Sequence, residues 1–156
     1  MKPSYDHMCL TVSDLERSIA FYDNYFGLKV VRRDPRAHSG ALVRQMTGVD
    51  GAELMSVFLS DGHFTLELIQ FTKAQGPASR GPTSNNVGAP HIGFCVDDVR
   101  RVYREWSAEG IAFNGEPIMS SRGDSWSAMM LDPDGVCIEL RETVAVPAEM
   151  MAAILA

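Results

Sequence analysis

His7-Met-Cys-Leu-Thr-Val-Ser-Asp-Leu-Glu-Arg17 is a stretch that the chain uses twice. It returns 84 positions later as His91-Ile-Gly-Phe-Cys-Val-Asp-Asp-Val-Arg-Arg101. Each copy starts on a histidine, alternates apolar and small or polar residues, and passes into an acidic helix entry. Each half then closes on a short apolar segment carrying one glutamate. These are Phe64-Thr-Leu-Glu67-Leu-Ile69 and Val136-Cys-Ile-Glu139-Leu140, a few residues after Gly62 and Gly135. Two copies of one unit pack most simply about a local pseudo-twofold axis. On that arrangement His7, Glu67, His91 and Glu139 are expected to approach one centre, and two imidazoles with two carboxylates make a divalent-metal site.

Strand alternation sharpens the expectation, because residues two apart point to the same side of a sheet. His7 then shares a side with Cys9 and Thr11, against Met8, Leu10 and Val12. His91 shares a side with Gly93 and Cys95, against Ile92, Phe94 and Val96. Glu67 opposes Leu66 and Leu68, and Glu139 opposes Ile138 and Leu140. All four candidate ligands are therefore expected opposite the bulky aliphatic face, which must pack on helices. A carboxylate among aliphatic residues is costly unless it finds a cation. His38 and His63 have no such pairing and read as loop residues.

Length and composition bound the rest. The chain has 156 residues, 46% of them hydrophobic, enough for one compact domain with a shared core. No apolar run approaches the roughly 20 residues of a membrane span. The opening Met1-Lys-Pro-Ser-Tyr-Asp6 has no signal-peptide hydrophobic region, so a cytoplasmic location is expected. The three cysteines, Cys9, Cys95 and Cys137, fall on predicted strands, which suits a reducing compartment and small pocket-lining roles. The formal net charge is −6, with no basic stripe beyond Arg32-Arg33 and Arg100-Arg101, so neither nucleic acid nor a membrane is an expected partner.

The fold class that follows is α+β, with two βαβββ modules in tandem forming a curved mixed sheet around a metal-binding cup. Residues 1–72 make the first module, 73–88 a Gly/Pro/Ser-rich linker, 89–145 the second module and 146–156 a short apolar helical tail. Ser13-Asp-Leu-Glu16 reads as a capping box for a helix with Leu15, Ile19, Tyr22 and Phe26 on one face, ending at Gly27. The second helix begins at Asp97-Asp98, places Val99, Val102, Tyr103 and Trp106 on one face, and stops at Gly110. Strands are expected over 28–33, 52–59, 64–71, 126–131 and 136–141, with Asp132-Pro-Asp-Gly135 as a type I turn. The stretch 39–48 has helical spacing at Leu42 and Met46 and is placed to lid the cup. Exposed sheet edges make a homodimer the expected assembly.

The paired modules, the histidine starts at His7 and His91 and the endings at Glu67 and Glu139 resemble the vicinal oxygen chelate superfamily. That group contains glyoxalase I, methylmalonyl-CoA epimerase, extradiol dioxygenases and the bleomycin and fosfomycin resistance proteins. The resemblance implies metal ligation by His7, Glu67, His91 and Glu139, as in the glyoxalase and epimerase branches. It implies a small-molecule substrate and lyase or isomerase chemistry, in which Glu139 or Glu67 moves a proton next to a metal-chelated carbonyl. Nickel, cobalt, manganese, zinc or ferrous iron would suit such a ligand set. Two alternatives remain open: an extradiol-type Fe(II) dioxygenase using only His7, His91 and Glu139, and a metal-free binding or resistance protein. The epimerase acid/base carboxylate falls in the region of Asp50 and Glu53. Arg122 and Trp126 are candidates for closing on an anionic or flat substrate.

Overall fold

A computed structural model describes residues 2–77 and 85–144. The chain divides into two compact units, Met1–Ala78 and Ser79–Ala156. In the first, the elements run β1 (Met8–Thr11), α1 (Leu15–Phe26), β2 (Lys29–Arg33), β3 (His38–Ser39), α2 (Ala41–Thr47), β4 (Glu53–Ser60) and β5 (Thr65–Lys73). The second has β6 (His91–Cys95), α3 (Val99–Ala108), β7 (Ile118–Met119), β8 (Ser125–Leu131) and β9 (Cys137–Thr143). The expected α+β class and the tandem βαβββ modules are what the structure shows. The apolar tail expected over 146–156 and the middle of the linker lie outside the described residues.

Each module builds a mixed sheet with the same core pairing. In the first, the strand order is β1-β5-β4-β2, with β3 also on β4, and in the second it is β6-β9-β8-β7. The first and last strands of each module are parallel neighbours, β1 with β5 and β6 with β9. Parallel neighbours require a crossover, and α1 and α3 lie within the connections. The aliphatic alternation is realised on both sheets. Leu10, Val57, Leu59, Leu66 and Leu68 are buried in the first, and Ile92, Ala128, Met130, Ile138 and Leu140 in the second. Burial of one such side chain contributes about 1.5–3 kcal/mol, so these faces fix the register that aims the other faces outward.

The helix entries show the internal repeat at atomic detail. Asp14 caps α1 by accepting from the Arg17 N–H, and Asp98 caps α3 by accepting from the Arg101 N–H. The cap of α1 is thus Asp14 rather than Ser13. Ser13 instead accepts from the Arg17 guanidinium, and Glu16 pairs with Arg33 at 2.6 Å. A residue three beyond each candidate glutamate completes each cap. Gln70 Oε1 accepts from the Leu15 N–H at 3.1 Å and Glu142 Oε2 from the Val99 N–H at 3.0 Å. These bonds satisfy donors at the helix start that no intrahelical carbonyl reaches. At the far end of α1, Gly27 takes φ +67° and its N–H returns to Asp23 O, a left-handed stop that a side chain would strain. Asp14→Ala is expected to lower stability by about 1 kcal/mol, and Ser13→Ala by much less. Paired urea melts of the two variants check this, and equal losses would move the cap back to Ser13.

Candidate functional site

In the first module His7 sits one residue before β1, and Glu67 is the third residue of β5. Cys9, two residues beyond the histidine, is the direct cross-strand neighbour of Glu67. His7 Nε2 lies 3.2 Å from Glu67 Oε2, with the glutamate side chain only 15% exposed. The other ring nitrogen, Nδ1, lies 2.5 Å from Asp6 Oδ2. A carboxylate on Nδ1 holds the ring so that Nε2 is the nitrogen offered to a ligand. Phe58, paired with Glu67 across β4, meets the His7 ring edge-on at 5.3 Å, and the Arg32 guanidinium lies 3.8 Å from the Phe58 centroid.

The second module repeats this register. Gly93, two residues beyond His91, is the neighbour of Glu139 across β6 and β9. His91 Nε2 lies 3.7 Å from Glu139 Oε2, and Ser127 Oγ donates to Glu139 Oε1 at 3.2 Å. Two atoms each about 2.1 Å from one ion are separated by about 3.0 Å at an octahedral right angle and about 3.4 Å at a tetrahedral one. The first pair fits that span as it stands, and the second needs a few tenths of an ångström of closure. Each pair therefore suits two coordination positions of a divalent ion. Among the described residues no three of His, Cys, Asp and Glu gather into a single ligand group, so the donors come in pairs.

Cys9 shares the Glu67 face. Burial around its thiol, then the Glu67 charge and a hydrogen bond to that carboxylate, push it up to about 12, so it remains a neutral neighbour at ordinary pH.

The first module also carries a cavity of about 220 Å³ on its Glu67 face. Glu67, Arg32, Asp34, His38 and Ser56 supply its polar lining, while Leu42, Val43, Met46, Leu54 and Ile69 supply the apolar part. The expected helix over 39–48 is present as α2 and forms one wall. Val43 anchors it, buried in a cluster with Ala52 and Leu54 against Val49, Ile69 and Phe71. His38, read from sequence as a loop residue, instead forms the two-residue strand β3 on β4. Asp34 Oδ2 accepts from Ser56 Oγ and lies 2.9 Å from His38 Nε2, and these bonds hold its carboxyl below the usual carboxylate range.

Trp126 is a correction to the sequence reading. On β8 it shares a side with Ala128 and Met130, the face covered by α3, whereas Glu139 pairs with Met129 on the opposite side. Its ring carries the Arg100 guanidinium 4.7 Å from the centroid, so it serves helix packing rather than the glutamate face. Arg122 is exposed and pairs with Asp124 at 3.1 Å. Asp50 pairs with Arg44, and Glu53 with Lys73. Sequence reading missed Asp6, Ser127, Phe58 and Arg32. Asp6 stood next to His7 as a visible signal, but the other three meet their partners only through strand register.

A model of the Glyoxalase/Bleomycin resistance protein/Dioxygenase superfamily matches residues 4–140. The chain belongs to this superfamily. Among curated proteins it is 28% identical over 142 residues to the Arabidopsis thaliana protein named "Probable lactoylglutathione lyase, chloroplastic", covering 87% of this chain and 35% of that one. The chain spans less than half the length of the plant relatives it matches. Among solved structures, a glyoxalase family protein from Bacillus cereus superposes with TM-score 0.77 at 22% identity, covering 90% of this chain and 94% of that chain. The fosfomycin resistance protein FosX of Listeria monocytogenes, solved with Mn(II) and sulfate, superposes with TM-score 0.66 at 17% identity over the whole of both chains. At these identities the superpositions establish the shared superfamily fold. No helix among the described residues is long and apolar enough to cross a membrane.

Proposed function

We propose that this superfamily member is a divalent-metal-dependent lyase or isomerase of the glyoxalase and epimerase kind, with His7, Glu67, His91 and Glu139 as ligands. The observation that carries the reading is the repeated half-site. In both modules the residue two beyond the histidine faces the glutamate across parallel strands, and the two side chains come within chelating reach. The relative named as a lactoylglutathione lyase and the Mn(II) held by FosX agree with it.

A divalent ion held there would supply positive charge that polarises a substrate carbonyl and acidifies its neighbouring C–H. His7 is held for this by Asp6 on Nδ1. Glu139 is oriented by Ser127 through Oε1, and either Glu139 or Glu67 takes the proton and returns it. The close His7–Glu67 pair favours this four-residue set over the dioxygenase set, which leaves Glu67 out.

Removing the ion would leave carboxylates without their counter-charge in a cup. Chelator treatment is therefore expected to lower the melting temperature by about 5–10 °C, and a divalent ion at roughly 100 times its Kd to restore it. Thermal shift measurements with metal analysis test this. An unchanged melting temperature in protein purified without metal would move the reading to a metal-free binding module.

A further inference from the structure

The cavity of the first module is split chemically. Leu42, Val43, Met46, Leu54 and Ile69 line one part, and Glu67, Arg32, Asp34, His38 and Ser56 the other. Its apolar wall is α2, which has no counterpart among the described residues of the second module. Leu42 and Met46 are 61% and 78% exposed, large apolar side chains beside an open space, while the neighbouring Val43 holds the helix down at 3%. Because both also line the cavity, their exposed apolar surface is available to a ligand bound there. On the polar side, Asp34 is engaged by Ser56 and His38, whereas Arg32 rests on the Phe58 face. A guanidinium held over an aromatic face keeps its edge donors for an anion. At about 220 Å³ the cavity lies below the roughly 300–1,000 Å³ of drug-sized sites, which suits a ligand of fewer than about ten heavy atoms.

Resting on the proposed metal function, we infer that the substrate is a short aliphatic carboxylate. Its tail packs against Leu42 and Met46, and its anionic end is held by Arg32 beside Glu67. Leu42 and Met46 are then the residues that set substrate chain length.

Calorimetric titration of the full chain with straight-chain alkanoates from butanoate to octanoate tests this. The affinity is expected to tighten about three- to fourfold per added methylene until the cavity is filled, and then to level off. Leu42→Ser combined with Met46→Ser should flatten that dependence, and both side chains are exposed enough for the variant to fold. Arg32→Gln should weaken every member by a similar factor and leave the slope intact. A wild-type affinity that ignores chain length, or a slope that survives the double serine variant, would overturn the inference. Repeating the series with chelator and with Mn(II) separates the two readings. A slope that persists while no metal binds leaves this assignment standing and removes the metal function, and metal binding without a slope does the reverse.

Discussion

Alanine at Glu139 is expected to abolish metal retention and reduce turnover by at least the roughly 10²–10⁴ that a positioned base contributes. The carboxylate has two engagements in its module, Oε1 with Ser127 and Oε2 with His91, and the variant loses both. Glu139→Gln separates the roles. It keeps a neutral oxygen near His91 but cannot accept the proton, so metal content should fall much less than kcat. Metal analysis alongside initial rates on α-hydroxy thioesters and 2-oxoaldehyde adducts provides the check. Glu67→Ala adds the contrast with a dioxygenase. Loss of metal supports the four-ligand set, whereas retained iron with oxygen uptake on a catechol would establish the three-ligand alternative.

The largest expected effect on stability comes from the opposite face of the same strand. Leu68 follows Glu67 and is fully buried, paired with Leu10 on β1 and Val57 on β4. Leu68→Ala should cost about 2–5 kcal/mol, because the lost transfer energy is joined by the cavity left between side chains that relax only partly. Against a typical stability of about 5–15 kcal/mol, that is a large share. A urea melt would show a lower midpoint at unchanged slope. Leu42→Ala, on the exposed side of α2, should shift it by less than about 0.5 kcal/mol. A small loss at Leu68 would mean that the aliphatic face is not the core that sets the register.

Those two neighbours show how much was legible in the sequence. Period-two alternation is a local property, so it assigned Leu66 and Leu68 to one side and Glu67 to the other without any knowledge of the partner strands. The internal repeat did the same for Ile138, Glu139 and Leu140. The helix faces and the stop at Gly27 were equally local. The side of Trp126 is not legible locally, because Trp126-Ser-Ala-Met-Met-Leu131 shows no clear alternation of polar and apolar residues. Only the pairing of Met129 with Glu139 put it under α3.

The sequence by itself determined the two modules, their aliphatic faces and the four candidate ligands, because periodicity and repetition are carried by residues close together in the chain. Only the tertiary structure decided which side chains meet. Glu67 reached His7 across 60 positions, Arg32 came to lie on Phe58 and Ser56 bonded Asp34 through the register of β1, β2, β4 and β5. Register between distant strands depends on how buried faces interlock, and no short stretch of chain contains that information.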